Sequence, residues 1–222
     1  MQRLCKQLFV STLIPLLLAP LTALQAADIP TNKPNVLVIL ADDLGYGDLG
    51  FTGCKDIPTP HIARLARGGV SCTEGHVAAS VCAPSRCGIL TGLAPSRQGF
   101  DSNQEMLLPD SHTIGHAMQS VGYATLGIGK WHMGPEPRSV GFDHFTGFAG
   151  GGRNYFPDPK TSKEQRLLRD GEDIETAGWT YLTDRLTEEG MRLIKAREAG
   201  KPFFLYMAYN TPHTPLQPRP DL

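Results

Sequence analysis

The amino-acid sequence predicts an α/β protein with a mainly parallel central sheet. Three apolar runs rich in β-branched or aromatic residues have the length of buried strands, and segments with helical spacing of apolar residues lie between them. Strands that alternate with helices are typical of parallel sheets, whose ligands bind beyond the carboxyl ends of the strands. We therefore expect the chemistry of this chain at the residues that follow each strand.

The first strand and helix are marked by clear local signals. Residues 35–40 (NVLVIL) form a continuous apolar run, which predicts a strand buried on both faces. Thr59 followed by Pro60 is typical of a helix start, because proline suits the first helical position. The glycine pair at 68–69 predicts the end of this helix.

Further elements follow in the same order of helix and strand. Thr113 predicts the cap of a second helix, which should close near Gly122. Residues 123–128 predict a strand that ends at Gly129 and Lys130.

The last third of the chain contains another helix and another strand. Apolar spacing predicts a helix over 183–198, with Gly200 as its stop, and a buried strand over 203–209 (FFLYMAY). Residues 150–180 are polar and rich in Gly and Pro, and we expect them to be a long surface excursion rather than a second domain.

The composition is that of an ordinary globular protein and excludes several classes. Of the 222 residues, 41% are hydrophobic and 19% are charged, so neither disorder nor a fibrous repeat is expected. Lys and Arg number 21 and Asp and Glu 22, and this formal net charge of −1 argues against a nucleic-acid partner. Away from the N-terminus, no run approaches the roughly 18–20 apolar residues of a membrane helix, so no stable span is expected.

Residues 1–27 are typical of a secretory signal peptide. Arg3 and Lys6 form a basic start, residues 8–24 are mostly apolar, and Ala26 is one of the small residues expected near a cleavage site. An uncleaved anchor is the alternative, but two prolines interrupt the apolar stretch and disfavour a membrane helix. We therefore expect the protein to be exported, either to the periplasm or out of the cell.

Four cysteines would remain after cleavage: Cys54, Cys72, Cys82 and Cys87. An oxidising compartment permits disulfides, and the sequence leaves their pairing open. If Cys82 serves chemistry, the other three cannot all pair with one another. Cys87 lies five positions after Cys82, and we expect it to pack within a helix.

Asp42 and Asp43 directly follow the first predicted strand. Adjacent carboxylates repel each other unless something positive lies between them, and a hard divalent cation such as Ca²⁺ or Mg²⁺ would serve. The alternative is a polar turn in which the two aspartates accept hydrogen bonds from backbone N–H groups.

Cys82 and Arg86 lie in a segment where Pro84 favours a helix start. Cys82 would then lie at the positive end of a helix dipole and close to a guanidinium, and both features stabilise an anion or a thiolate. A disulfide or a buried thiol is the alternative.

Lys130, His132 and His213 are the remaining candidates. Lys130 and His132 are two positions apart after a strand, so in an extended segment they would point to the same side. A cation and an imidazole on one side suit an anionic group that undergoes proton transfer. Prolines flank His213 and would stiffen its loop. For each residue taken alone, a structural role is the alternative.

Four segments together resemble the type I sulfatases. Residues 80–92 (SVCAPSRCGILTG) resemble the first signature of that family, and residues 122–132 (GYATLGIGKWH) resemble the second. Residues 35–48 (NVLVILADDLGYGD) resemble its opening strand and metal loop, and residues 212–215 (PHTP) resemble a later histidine motif. Two long motifs in the right order are far more specific than one short match.

The resemblance implies an alkaline-phosphatase-like, three-layer α/β/α fold, with residues 34–222 as the N-terminal part of the catalytic domain. It implies that a separate maturation enzyme, which reads Cys-x-Pro-x-Arg, oxidises Cys82 to formylglycine. It also implies that Asp42, Asp43 and the modified residue 82 bind a divalent cation, usually Ca²⁺, with Mg²⁺ possible.

The implied activity is hydrolysis of sulfate monoesters of small molecules or carbohydrates. One hydroxyl of the hydrated aldehyde would attack sulfur, and the second would lose a proton so that sulfate leaves. Arg86 and Lys130 would stabilise charge on the transferring group. We expect His132 to hold and deprotonate the diol and Lys130 to contact the sulfate. His213 would either contact the sulfate or protonate the leaving oxygen.

Two other functions remain compatible with the residues. A related formylglycine enzyme could act on phosphonate or phosphate esters, and a truncated, non-catalytic exported module could bind an anion. The family places further metal ligands and a lysine downstream of the histidine that corresponds to His213. We therefore expect these groups and the later strands to lie beyond Leu222, which would leave an open sheet edge. The enzyme would be complete only with that part.

Overall fold

The fold centres on a six-stranded sheet in a computed structural model that describes residues 33–104, 106–108, 110–175 and 178–221. The predicted signal peptide lies outside the described residues. The strands are β1 (Val36–Asp42), β2 (Ala124–Lys130), β3 (His144–Phe148), β4 (Leu168–Arg169), β5 (Glu172–Asp173) and β6 (Phe203–Pro212). Their order in the sheet is β1-β6-β2-β3-β4-β5.

The four longer strands are parallel, which confirms the predicted sheet type. β6 pairs in parallel with β1 on one side and with β2 on the other, and β2 pairs in parallel with β3. The short strands β4 and β5 are antiparallel. Leu40 of β1 and Gly129 of β2 both lie in register with Ala208 of β6, so these three strands reach the same edge together.

The helices are α1 (Pro60–Gly68), α2 (Cys82–Thr91), α3 (Ile114–Ser120) and α4 (Leu182–Ala196). α2 and α3 pack on one face of the sheet and α4 on the other, whereas α1 has no buried residue. The predicted starts at Thr59 and Thr113 are confirmed, and Thr113 caps α3 by accepting the His116 backbone N–H. The Thr59 hydroxyl instead accepts the Gly50 N–H at 2.8 Å, so Pro60 marks the start of α1 without a side-chain cap.

Two apolar clusters bury the two faces of β6. Phe204 and Tyr206 belong to a cluster with Cys87 of α2, whereas Leu205 belongs to a second cluster with Leu186 of α4. Successive strand residues point to opposite faces, so the continuous apolar run of β6 supplies both clusters. This arrangement is the expected three-layer α/β/α architecture. Within the described ranges, no helix is long and apolar enough to cross a bilayer.

The prediction that the first strand is buried on both faces is wrong. β1 is at the end of the strand order and pairs only with β6 among the described strands. Val36 and Val38 pack against the core, but Leu37 and Ile39 on the opposite face are 50% and 57% exposed. The apolar run therefore forms a strand, but only one of its two faces is packed against the core.

The prediction of a surface excursion over 150–180 holds only in part, because most of its described residues are exposed or half-buried but a few are buried. The segment contributes β4 and β5, and Tyr155, Leu167 and Trp179 are buried in the second cluster. Its charges are paired internally, because the Arg153 guanidinium donates two hydrogen bonds to the Glu175 carboxylate, at 2.9 and 2.7 Å. A polar, glycine-rich sequence can therefore be buried when its charged side chains pair with each other.

Candidate active site

The site is built around Lys130, the last residue of β2. Its side chain is fully buried, and its ammonium donates hydrogen bonds to Asp42 Oδ2 at 2.6 Å and to Cys82 Sγ at 3.2 Å. Asp42 ends the edge strand β1, which is separated from β2 by β6, and Cys82 begins α2. The ends of two parallel strands and the start of one helix therefore meet at a single buried ammonium.

Arg86 supplies a second buried cation. Its Nη2 lies 3.1 Å from Asp42 Oδ1, and its Nη1 donates to the Lys130 carbonyl at 2.8 Å. Asp42 thus holds one cation on each carboxylate oxygen, which offsets the cost of removing these charges from water. Lys130 and Arg86 thus place positive charge near position 82, as the sequence predicts.

Cys82 is the first residue of α2, which confirms the predicted helix start. Val81 takes the N-cap position without a side-chain cap, and the Ala83 N–H donates to Asn103 Oδ1 at 2.9 Å. Residue 82 is therefore at the positive end of a helix dipole. A cleft of about 240 Å³ opens beside it and is lined by polar and apolar side chains that include Asp43 and Ser85.

His213 approaches from the end of β6. Its Nδ1 lies 2.6 Å from the Thr214 carbonyl, an arrangement in which Nδ1 carries the proton and Nε2 is free to act. Nε2 lies 3.7 Å from Asp43 Oδ2. One donor atom from each of Asp42, Cys82 and His213 lies within 4.8 Å of the other two.

A buried tyrosine holds the backbone of His213. Tyr155 donates its hydroxyl to the carbonyls of Asn210 and His213, at 3.0 and 2.7 Å. Burial raises the pKa of Tyr155 to about 12, so its hydroxyl remains a donor across the neutral range. The sequence reasoning missed Tyr155 because nothing in a polar, glycine-rich segment distinguishes a tyrosine that reaches another loop.

His132 follows β2 in a turn and not by strand alternation, and it lines a cleft with Gly151 and Gln165 that is distinct from the cleft beside Cys82. Its backbone has a left-handed φ of 54°, so the expectation of an extended segment shared with Lys130 is wrong. Its backbone N–H donates to the Ala149 carbonyl at 3.2 Å, beyond the end of β2. Burial, with Lys130 and Arg86 nearby, lowers the pKa of His132 to about 4. The imidazole is therefore neutral at pH 7.

Asp43 lies at the rim of the site. Its φ is 60° and its side chain is 58% exposed, and it is not part of the tight group formed by Asp42, Cys82 and His213. The donors nevertheless suit a hard divalent cation, because carboxylate oxygens have lone pairs beyond those that Lys130 and Arg86 use. The described residues offer fewer donors than the roughly 6–8 oxygens that Ca²⁺ takes.

The other cysteines and histidines lie outside this cluster. Cys54, Cys72, Cys82 and Cys87 are all free, and Cys87 packs inside α2 as expected. Burial raises the pKa of the Cys87 thiol. His144 pairs with Asp170 at 2.9 Å at the start of β3, and the site is at the opposite, carboxyl ends of the parallel strands.

The fold and the site define a class of α/β protein in which the start of a helix and two buried cations meet at the carboxyl edge of a parallel sheet. The sulfatase family model matches residues 34–222, and the chain belongs to the sulfatase family. An arylsulfatase of Klebsiella aerogenes is 33% identical over 207 residues, covering 84% of this chain and 44% of that protein. N-acetylgalactosamine-6-sulfatase of Mus musculus is 31% identical over 230 residues, covering 90% and 44%.

Two solved structures resemble the chain in three dimensions. The crystal structure of Ps i-CgsB with k-i-k-neocarrahexaose matches with a TM-score of 0.79 and 38% identity, over 86% of this chain and 48% of that one. BT4656 in complex with its substrate D-glucosamine-2-N,6-O-disulfate matches with a TM-score of 0.76 and 28% identity, over 86% and 37%. The chain thus spans less than half the length of these relatives.

Proposed function

We propose that this chain supplies the nucleophile and anion-binding groups of a sulfuric ester hydrolase that cleaves sulfate monoesters. The observation that carries the proposal is the position of the Lys130 ammonium, 3.2 Å from Cys82 Sγ and 2.6 Å from Asp42. A buried ammonium beside the reacting atom stabilises the negative charge of a transferring sulfuryl group more strongly than it would in water. Membership of the sulfatase family supports the same chemistry.

The nucleophile belongs to residue 82 after modification. We infer that a separate maturation enzyme oxidises Cys82 to formylglycine, since Pro84 and Arg86 complete the Cys-x-Pro-x-Arg pattern. When formed, the hydrated aldehyde supplies one hydroxyl for attack on sulfur and a second whose deprotonation allows sulfate to leave. A serine or cysteine ester lacks this second hydroxyl.

The proposed metal ligands are Asp42, Asp43 and the oxygen of residue 82. A bound Ca²⁺ or Mg²⁺ would offset the negative charge of the sulfate oxygens. Asp42 holds its carboxylate in place through Lys130 and Arg86, so its oxygens need little rearrangement to accept the ion. Further ligands would come from outside the described residues.

The two histidines have different proposed roles. His132 is neutral at pH 7 and can therefore accept a proton from the hydroxyls of residue 82. Because its Nδ1 is bound to the Thr214 carbonyl, His213 presents Nε2. Nε2 can contact the sulfate or, when it also carries a proton, donate that proton to the leaving oxygen. Lys130 and Arg86 stabilise the oxyanion.

The proposed substrate is a sulfated carbohydrate or small molecule. Two similar structures contain saccharides, and one of these is a disulfated glucosamine described as a substrate. We also propose export to the periplasm or outside, based on the sequence of residues 1–27.

The test is to co-express the full chain with a formylglycine-generating enzyme and measure the mass of the peptide that contains residue 82. We expect an aldehyde in place of the thiol, and the Cys82→Ala variant is the control that cannot be modified. A retained thiol would contradict the proposal and favour a non-catalytic anion-binding module. Faster turnover of aryl phosphonates than of aryl sulfates by the aldehyde form would favour the phosphonate or phosphate ester hydrolase.

A further inference from the structure

Three consecutive glycines, 150–152, form a strip that passes under both site histidines. We refer to residues 150–152 as the glycine strip. A methyl group built on Gly151 would lie 2.7 Å from His132 Cε1 and 2.8 Å from His132 Nε2. A methyl group built on Gly152 would lie 2.9 Å from His213 Cε1 and 3.2 Å from His213 Nδ1. Each ring therefore rests directly on a different glycine.

The requirement for glycine here is spatial and not conformational. Neither Gly151 nor Gly152 has a φ in the left-handed region, so alanine could adopt either backbone without strain. Contacts below 3.0 Å between a Cβ and a ring atom are not tolerated, so the ring or the strip would have to move. Which of the two moves depends on how firmly each is held.

The glycine strip is anchored more firmly than the His132 ring. Gly150 donates its N–H to the Glu164 carbonyl at 2.7 Å, and the Gly152 carbonyl accepts from Gln165 Nε2, also at 2.7 Å. The next residue, Arg153, is fixed by its buried bidentate pair with Glu175. By contrast, His132 Nδ1 has no hydrogen-bond partner among the described residues although the atom is buried.

We propose that Gly151 and Gly152 are positioning residues, which set the placement of the His132 ring and the His213 ring respectively. One rigid segment would then fix the positions of both imidazole rings, Gly151 that of His132 and Gly152 that of His213. A side chain at position 151 would displace His132 and leave His213 in place, and a side chain at position 152 would do the reverse. The catalytic meaning of this arrangement rests on the proposed function, but the ring positions do not.

The test uses Gly151→Ala and Gly152→Ala in the full chain, with Gly68→Ala as the matched control. Gly68 has nothing within 4 Å of a built methyl group and no left-handed φ, so this control reports only the general effect of replacing glycine. Imidazole resonances are recorded by NMR and assigned with His132→Gln and His213→Gln. We expect Gly151→Ala to shift only the His132 signals, Gly152→Ala to shift only the His213 signals, and Gly68→Ala to shift neither.

A double-mutant cycle gives a second measurement that does not depend on turnover. Removing the ring with His132→Ala should relieve the effect of Gly151→Ala, so the unfolding equilibrium constants should deviate from additivity by about tenfold. The crossed pair, Gly151→Ala with His213→Ala, should deviate from additivity clearly less, because the atoms nearest to a methyl group at position 151 all belong to His132. Unmoved ring signals in both alanine variants, or equal coupling of Gly151 to both histidines, would overturn the proposal. A failure of sulfate ester hydrolysis would leave these readouts unchanged, so the two proposals fail separately.

Discussion

At the scale of single residues, the site depends on two cations that share one carboxylate. Lys130 and Arg86 are both buried, and each contacts a different oxygen of Asp42. Such a cluster is costly to form and costly to break, because removing one partner leaves a buried group incompletely paired. Its residues therefore affect stability as well as chemistry.

Lys130→Met should lower the free energy of unfolding by about 1–3 kcal/mol, because Asp42 would lose one charged hydrogen-bond donor while it stays buried. Urea unfolding at pH 7 measures this loss. Lys195→Met is the matched control, since Lys195 is exposed on α4 and its replacement should change stability by less than about 0.5 kcal/mol. Equal effects of the two variants would contradict the account of the buried cluster.

His132 should make folding stability depend on pH. Its pKa in the folded chain is about 4, against 6.5 for an unperturbed histidine, so between these values the unfolded chain binds more protons. The free energy of unfolding should therefore fall as pH drops from about 6.5 towards 4, and His132→Gln should flatten this part of the profile. Urea unfolding at pH 7, 6 and 5 checks it. An unchanged slope in the variant would refute the prediction.

His213 should matter most where the leaving group is poor. If its Nε2 protonates the leaving oxygen, His213→Ala should reduce turnover of alkyl sulfates more than turnover of nitrophenyl sulfate, by about 10²-fold or more. Both rates are measured on the aldehyde form, in a preparation that carries all of the metal ligands. Equal losses on the two substrates would leave only a binding role for this histidine.

At the scale of elements, the segment that connects β3 to α4 is held in place by a buried ion pair between Arg153 and Glu175. Arg153 and Glu175 are both nearly inaccessible to solvent, and Arg153 also stacks 5.0 Å from the Trp179 ring centre. The backbone N–H of Leu167 donates to the same carboxylate at 2.9 Å. This pair joins the two ends of the segment and keeps it against the sheet.

Arg153→Met should destabilise the chain by about 3–5 kcal/mol, because it leaves the Glu175 carboxylate buried without its counter-ion. The matched control is Arg166→Met, which breaks the more exposed pair with Asp173 in the same segment and should cost much less, because solvent screens that pair. Both values come from urea unfolding. Comparable losses in the two variants would show that burial of the first pair contributes little.

Sequence patterns predicted most of the elements but not this segment. An apolar run predicts β6, and helical spacing of apolar residues predicts α4. Both patterns can be read from the sequence because they depend only on which side chains are apolar. β3 is only five residues long and contains a glycine, so no pattern marks it. The burial of residues 150–180 depends on which charges meet, and this pairing cannot be read from one sequence.

The site also contains some residues that sequence patterns predict and others that they do not. Asp42, Cys82 and Lys130 were predicted because each is at the end of a strand or the start of a helix, where parallel sheets place their ligands. Tyr155 and Gly152 act from the middle of a segment without regular spacing. Their roles follow only from contacts with His213, which lies about sixty residues further along the chain.

At the scale of the whole molecule, the three loops that form the site come from β1, β2 and β6, which are neighbours in the sheet. The site residues on these strands therefore come together once the three parallel strands pair correctly. α2 then places Cys82 next to them. β1 is the vulnerable member of this group, because it is the edge strand and it also carries Asp42.

The exposed side of β1 should make the isolated chain associate with itself. Leu37 and Ile39 place apolar side chains beside a strand edge that pairs with no other described strand, which is a typical route to edge-to-edge pairing. Ile39→Lys should therefore reduce the weight-average mass measured by sedimentation at high protein concentration. Leu65→Lys is the control, because Leu65 is 73% exposed but lies on α1, away from any strand edge. If the two lysine variants lower association equally, exposed apolar area in general is responsible and not the edge of β1.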